Sequence, residues 1–360
     1  MGIIVEGAIV DVDGPRRGYV RFHRGQVVEV GAPGTDSTRG RIRRVRGIVV
    51  PPPVNGHTHL GDAVSDREPP HRPIDEIVRP PDGYKFRLLA ETPAAPKRRA
   101  MRSALRRMQR EGVAATLDFR EEGRSGVELL RAAGAGTGVR TVVFGRPLER
   151  PIRRKEVDRL LAVADGIGIS SALEEPFEVR RALADACRRA GKYYGLHASE
   201  VRRELPETYL APRPDLLVHL TFATRGDLEA VVQSKTTVAV CPRSNALFGR
   251  RPDLAMFADV GVRTMLGTDN AMFHAPSMLR EIEFAYVTAR LARRPVPPGF
   301  LVRAGYIEPW LFLGKPQWAR VEAGGPGRPI AFRLPAEDPE YQLATRATEH
   351  LIVRPGPRGP

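Results

Sequence analysis

The sequence predicts an α/β protein: a closed (β/α)8 TIM barrel carrying a small β-sandwich made from the N- and C-terminal segments. Three observations predict it. Short β-prone runs alternate with helical segments or long loops eight times between residues 48 and 291. The first 46 residues and the stretch after residue 318 lack that rhythm and hold short β-prone pieces separated by turns. A chain of 360 residues with 42% hydrophobic content can bury one large core plus an appendage. The expected division is 1–46 with 319–354 as the composite sandwich, 47–318 as the barrel, and 355–360 as a flexible tail.

The elements follow in order. In the N-terminal part the β-prone runs are Ile3–Val10, Gly18–His23, Gln26–Val30 and the basic run Arg41–Arg46. Ile48–Val54 reads as the first barrel strand. The stretch from Leu60 to about Pro93 is too long to be passive in a compact domain, which makes it a lid or specificity loop. Helix Lys97–Arg110 puts Met101, Leu105 and Met108 on one face. Strands Val113–Asp118, Val139–Gly145 and Asp165–Ile169 come next, separated by helices Gly126–Ala133 and Lys155–Val163. Helix Phe177–Ala190 leads into strand Lys192–His197, and strand Asp215–Leu220 follows. Helix Arg225–Ser234 precedes strand Thr236–Cys241, helix Pro252–Val260 precedes strand Arg263–Gly267, and helix Ser277–Leu291 closes the series. Pro329–Leu334 and Leu343–Val353 are β-prone and can complete the N-terminal sheet. The tail Pro355-Gly-Pro-Arg-Gly-Pro has no apolar surface to bury.

The net charge of +15 comes mainly from arginine, since only six of the 57 basic residues are lysines. These arginines are interspersed with Glu and Asp instead of forming one basic arm, so nucleic acid is disfavoured as a partner. A small-molecule substrate drawn to a basic surface is expected instead. Cys187 and Cys241 are the only cysteines, which excludes a disulfide framework and a Cys-x-x-Cys zinc site. Met1-Gly-Ile-Ile-Val-Glu-Gly has no basic leader, and no apolar run approaches membrane-spanning length, so a cytoplasmic protein without a membrane partner is expected. The scarcity of Asn (Asn55, Asn245, Asn270) and the 33 prolines fit a thermophilic protein. A homo-oligomer is left open.

Chemistry enters at Gly47-Ile-Val-Val-Pro-Pro-Pro-Val-Asn-Gly-His57-Thr-His59. In an extended segment residues i and i+2 share a face, so both imidazoles can grip one metal ion. Zinc or iron would need one or two further ligands. Active sites of (β/α)8 barrels lie at the C-terminal strand ends. There the fifth predicted strand ends in His197, followed by Glu200. The sixth contains His219, and the eighth ends in Gly267-Thr268-Asp269-Asn270.

With His57-x-His59, His197-x-x-Glu200, His219 and Gly267-Thr268-Asp269 in this order, and Val240-Cys241-Pro242-Arg243-Ser244-Asn245 on the seventh strand, the chain resembles the amidohydrolase superfamily. The resemblance is to its mononuclear branch of cytosine, guanine and adenosine deaminases and chlorohydrolases, and it covers nearly the whole chain. His57, His59, His197 and Asp269 can hold one Zn2+ or Fe2+ and leave a position for water, whose pKa the metal lowers toward 7. Asp269 and His219 are placed to orient that water and take its proton, and Glu200 can protonate a ring nitrogen and then the leaving group. The His-x-x-Glu pair of the resemblance points to deaminases. A binuclear member would need a bridging lysine where Ser170 and Ser171 stand, so one metal is expected. The other zinc deaminase architecture needs a cysteine pair that this chain lacks.

The expected activity is hydrolytic deamination of a heterocyclic amidine, such as a purine, pyrimidine or pterin-like ring. Two alternatives compete with it: hydrolysis of a cyclic amide or another C–N or C–X bond, and a basic nucleic-acid-binding protein with a structural metal. His219 has a rival reading as a buried core histidine, and Glu200 as a surface acid. Arg120, Arg146 and Arg243 fall at predicted active-site ends, where at least one is expected to meet an anionic substrate group. Ordinary arginines of an arginine-rich chain are the competing reading. His71 and His274 are further candidates for lining the pocket, with plain loop residues as the competing reading, and Lys85 and Tyr84 in the long loop are weaker candidates for meeting the anionic group.

Overall fold

The computed structural model describes residues 2–36, 42–65, 67, 71–347 and 351–353. The expected tail at 355–360 lies outside the described residues, as does Arg41 at the start of the basic run.

Strands β1 (Gly2–Asp11), β2 (Gly14–His23), β3 (Gln26–Gly31) and β4 (Arg43–Val50) lie in a six-stranded sheet. β1 and β2 form a hairpin whose Asp13 amide donates to Asp11 Oδ1 at 3.0 Å. β4 then runs parallel to β1, with Ile9 opposite Val49. From the other end of the chain, Ile330–Phe332 pairs antiparallel with β4, and Leu351–Val353 adds beside it. Asp11 ties the two ends together, because its carboxylate also accepts the Val321 amide at 2.9 Å.

The run Ile48–Val54 does not form one strand. Ile48, Val49 and Val50 finish β4 in the small sheet, and the first barrel strand, β5, is Val54–His59. Pro51, Pro52 and Pro53 separate them, because proline has no N–H to offer a sheet ladder. The apolar run is continuous in sequence, but the backbone chemistry is not.

From β5 the barrel continues through β6 (Ala115–Arg120), β7 (Arg140–Gly145), β8 (Gly166–Ile169), β9 (Tyr193–Ala198), β10 (Leu216–His219), β11 (Thr237–Val240) and β12 (Thr264–Leu266), each parallel to the last. β13 (Asp269–Asn270) follows β12 after only Gly267-Thr268, yet it pairs with β5, Asp269 facing Thr58. The eighth strand is thus broken in two, one half bonding to the seventh strand and the other to the first. This closes the ring. Asn55 staples the break: its side chain accepts from the Thr268 amide at 2.9 Å and donates to Thr268 Oγ1 at 2.8 Å. At Gly267 a Cβ would lie 2.6 Å from the His57 nitrogen, so only glycine allows the halves to approach here.

The barrel interior is apolar and continuous with the packing of the helices. Phe119 of β6 fills it just below the two histidines, in edge contact with His57 at 4.8 Å and His197 at 5.1 Å. A Cβ at Gly168 would sit 2.5 Å from the Phe119 ring, so that glycine makes room for it.

The expected helices are present within a few residues: α3 (Ala94–Arg110), α4 (Gly123–Gly134), α5 (Arg154–Leu161), α6 (Phe177–Arg189), α8 (Arg225–Ser234), α10 (Leu254–Val260) and α11 (Met278–Leu291). The 60–93 excursion contains a 3-10 turn at Leu60–Val64 and two helices, α1 (Ile74–Val78) and α2 (Tyr84–Glu91). Four helices carry no plain sequence period: α7 (Pro206–Leu210), α9 (Pro242–Leu247), α12 (Pro298–Tyr306) and α13 (Glu308–Phe312). The β-prone run Leu343–Val353 is corrected in its first half, since Pro339 opens helix α14 (Pro339–Arg346) and Leu343 packs into the core from it. Among the described residues no helix is long and apolar enough to cross a membrane.

Candidate metal centre and active site

β5, β9 and β13 converge on one point at the C-terminal end of the barrel. His57 Nε2 lies 3.2 Å from His197 Nε2 and 3.3 Å from Asp269 Oδ1; His59 Nε2 lies 3.4 Å from His197 Nε2 and 3.6 Å from Asp269 Oδ1. A tetrahedral ion with bonds of ~2.0–2.1 Å spaces neighbouring ligand atoms by ~3.3 Å, so these separations suit such an ion, with the three imidazoles as the group that could hold it and Asp269 beside them.

The tautomers agree. His197 Nδ1–H donates to the Ile169 carbonyl at 3.0 Å, and His59 Nδ1–H donates to Glu121 Oε1 at 2.8 Å. Each ring therefore presents a bare Nε2 lone pair to the other, an arrangement that repels unless a cation lies between them. Burial, followed by the neighbouring imidazoles, holds His197 well below the usual histidine range. Burial and the Lys85 charge bring His59 to about 4, and burial also lowers His57. All three are neutral at pH 7, as metal ligands must be. A divalent metal fits these residues.

Next to this group are Glu200 and His219. Ser199, His219 and Asp269 have positive φ (48°, 76° and 58°), a strained conformation for non-glycine residues and one that clusters at functional sites. Here it turns the chain at three strand ends so that Glu200, His219 and Asp269 face inward. Glu200 Oε1 lies 3.5 Å from His219 Nε2, and His219 Nδ1 lies 3.3 Å from Asn245 Nδ2. Burial, with the Asp269 charge adding to it, pushes the Glu200 carboxyl up to about 8, so it carries a proton at neutral pH. Asp269 behaves oppositely. Burial works against its charge, but the bond to His57 and the potential of His219 hold it well below the usual carboxylate range. Ser244 Oγ donates to its Oδ2 at 2.5 Å.

Residues 48–300, which hold every one of these side chains, match the Amidohydrolase family. The chain belongs to that family. It is 35% identical over 333 residues to a provisionally named aminohydrolase of Methanothermobacter thermautotrophicus, covering 87% of this chain and 86% of that one. A second such protein, from Archaeoglobus fulgidus, is 31% identical over 266 residues, with 73% and 75% covered. In fold the chain is similar to an adenosine deaminase from Xanthomonas campestris solved with bound zinc (TM-score 0.76, 16% identity, 99% of this chain and 90% of that one). It is also similar to an atrazine chlorohydrolase from Arthrobacter aurescens TC1 complexed with zinc (TM-score 0.73, 16% identity, 99% and 96% covered).

In this amidohydrolase a cavity of about 690 Å³ opens over His59, His197, Glu200, His219 and Asp269. The 60–93 excursion roofs one side of it with Ile74, Val78 and Phe86, and Phe248 and Phe273 stand among the other lining residues.

Of the arginines expected at the site, Arg146 is at the wall. It lies over Phe86 at 5.5 Å, reaches Ser170 and Glu174, and is lowered to about 10 by burial. The structure corrects the expectation for Arg120. That side chain is 1% exposed, packed against Gly61 and paired with Asp118 (3.4 Å) and Glu121, behind the metal centre and outside the cavity wall. Arg243 is likewise outside the wall. Its amide donates to Glu281 Oε1 at 2.8 Å, and its guanidinium turns to the Ala275 carbonyl at 3.4 Å. His71 is exposed and is not among the lining residues either.

Sequence reasoning missed Glu121, Asp62, Ser244 and Asn245 as parts of the site; Lys85, expected only as a substrate contact, does line the cavity and is also paired with Asp62 and Glu121. Ser244 and Asn245 sit in the quoted seventh-strand segment, which was signal enough to find them. Glu121 and Asp62 meet His59 only through the closure of the barrel.

Proposed function

We propose that this amidohydrolase is a mononuclear deaminase that hydrolyses the exocyclic amino group of a heterocyclic amidine, a purine, pyrimidine or pterin-like ring. The observation that carries this reading is the position of the Glu200 carboxyl on the cavity wall beside the proposed ligand set, 3.5 Å from the His219 imidazole, where burial pushes it up to about 8. A ring nitrogen must gain a proton as water adds to the adjacent carbon, and a carboxyl protonated at pH 7 is the group to give it.

The proposed metal residues are His57, His59, His197 and Asp269, and the metal is Zn2+ or Fe2+. Such an ion lowers the pKa of water toward neutrality, making hydroxide available for attack. Asp269, ionised and fixed by Ser244, orients the attacking water and accepts its proton, with His219 alongside. Glu200 donates to the ring nitrogen as the C–O bond forms and the C=N electrons move onto that nitrogen. The tetrahedral carbon then expels the amino group. A proton passed back through Glu200 leaves with it as ammonia, and the ring keeps a carbonyl.

The apolar roof with Phe86, Phe248 and Phe273 suits a flat ring, and Arg146 suits an anionic substituent on it. A panel of purines, pyrimidines and pterins assayed for ammonia tests the reading, with metal content measured on the same sample. Ammonia from none of them, in protein holding about one ion per chain, would sink it; chloride release or ring opening would then assign a different leaving group.

A further inference from the structure

The metal centre has a second side. Beside His59, where Lys85 reaches the cavity wall, lies a buried ionic cluster that the proposed turnover does not use. Lys85, on α2, is 3% exposed, and its Nζ lies 3.1 Å from Asp62 Oδ2 and against Glu121 Oε1. That same Glu121 oxygen accepts the His59 Nδ1 proton, while the other oxygen meets Arg120. Asp62 is fully buried, and neither of its oxygens makes a hydrogen bond among the described residues, so its compensation falls to the Lys85 ammonium. The ligand atoms of His59, Asp62 and Glu121 lie within 4.8 Å of one another, a group that could hold a cation. The chain supplies that cation itself.

We propose that Lys85 is a positioning residue for the metal centre: its ammonium, seated between Asp62 and Glu121, fixes the carboxylate that orients His59, so that metal affinity depends on α2 being docked. Without Lys85, Glu121 Oε1 loses one of its two donors, and the carboxylate can swing toward Arg120. The His59 ring then loses a fixed acceptor for its Nδ1 proton, and its Nε2 no longer points to one place. The neighbouring residue extends the coupling. Lys85 and Phe86 both line the cavity, and Phe86 lies under Arg146, so docking of one short helix seats the charge beside His59 and part of the aromatic wall together. The 60–93 excursion is then part of the metal site as well as its cover.

The test is zinc affinity by chelator competition, measured on the full chain without substrate. Lys85→Met keeps the bulk and removes the charge, and a loss of roughly 10–100-fold is expected, the range seen when partners of metal-bound histidines are removed. Lys85→Ala is expected to lose at least as much and to recover in part with millimolar methylammonium, which can donate, but not with tetramethylammonium, which cannot. Arg87→Ala, on the same helix but bonded only to the Asp82 carbonyl among the described contacts, is expected to bind zinc as the wild type does.

Zinc affinity of Lys85→Met within about twofold of wild type would overturn the proposal, and so would an equal loss in Arg87→Ala. If neither Lys85 variant folds, even with methylammonium present, Lys85 belongs to stability alone and the proposal is again overturned. It rests on the metal centre and not on the identity of the substrate. A wild type that releases no ammonia sinks the deaminase reading while the Lys85 affinities still stand on their own.

Discussion

His59 separates two buried regions that are built from similar groups and behave differently. On the cavity side stands Glu200; on the closed side stand Asp62, Asp118 and Glu121. Burial pushes Glu200 to about 8, Asp62 to about 7 and Asp118 to about 6. Glu200 has no lysine or arginine ion pair among the described residues, and its contact is His219. On the closed side Lys85 and Arg120 are interleaved with the acids, and Glu121 between them is held well below the usual range despite its burial. Burial thus raises carboxyls on both sides, and only Glu121, paired with both Lys85 and Arg120, is held as a fixed acceptor. Partners, more than burial, decide which role a carboxyl takes.

Breaking the shared wall should have the largest effect. His57→Ala or His197→Ala is expected to abolish both metal binding and turnover, as read by metal analysis and ammonia release. On the cavity side alone, Glu200→Gln should keep the metal and lower kcat by ~10²–10⁴-fold. A fully active variant would remove Glu200 from the chemistry. The sign of the pH response follows from the raised value. Glu200 is protonated below about 8, so kcat/KM should fall as pH rises through 8, and that limb should be missing from the residual activity of Glu200→Gln. On the closed side, Asp118→Ala leaves Arg120 with Glu121 alone and removes acceptors from Thr58 (2.9 Å) and the Leu60 amide (2.7 Å). A loss of about 1–3 kcal/mol in urea unfolding is expected, since buried donors are left without their acceptor. The smallest effect belongs to the cavity rim. Arg146→Ala should raise KM about tenfold for an anionic substrate and leave that of a neutral analogue unchanged, and equal effects on both would assign Arg146 to packing against Phe86.

The order of strands and helices was legible because apolar periodicity records which face is buried, and α8 falls on the residues expected for it. The meeting of His57, His59 and His197 at one point was legible because all three stand at strand ends on the same face of a barrel. The sequence misled where backbone chemistry interrupts an apolar run, as at Pro51–Pro53. It misled again with Arg120. Position at a strand end was read correctly, but the side chain turns behind the centre toward Asp118 and Glu121, a choice made by partners distant in sequence. Lys85 shows the same limit. Nothing in Tyr84-Lys85-Phe86 marks a lysine for burial; only the two acids waiting for it do.

The break in the eighth strand has one more consequence. Asn55 and Thr268, 213 positions apart, meet where the first and last staves of the ring join, and His57 and Asp269 flank that joint. A chain that has made every other stave but has not returned its last segment to its first owns no assembled site. With the ligand set proposed above, incomplete folding products would lack the assembled site, which comes together in the same step as the finished circle.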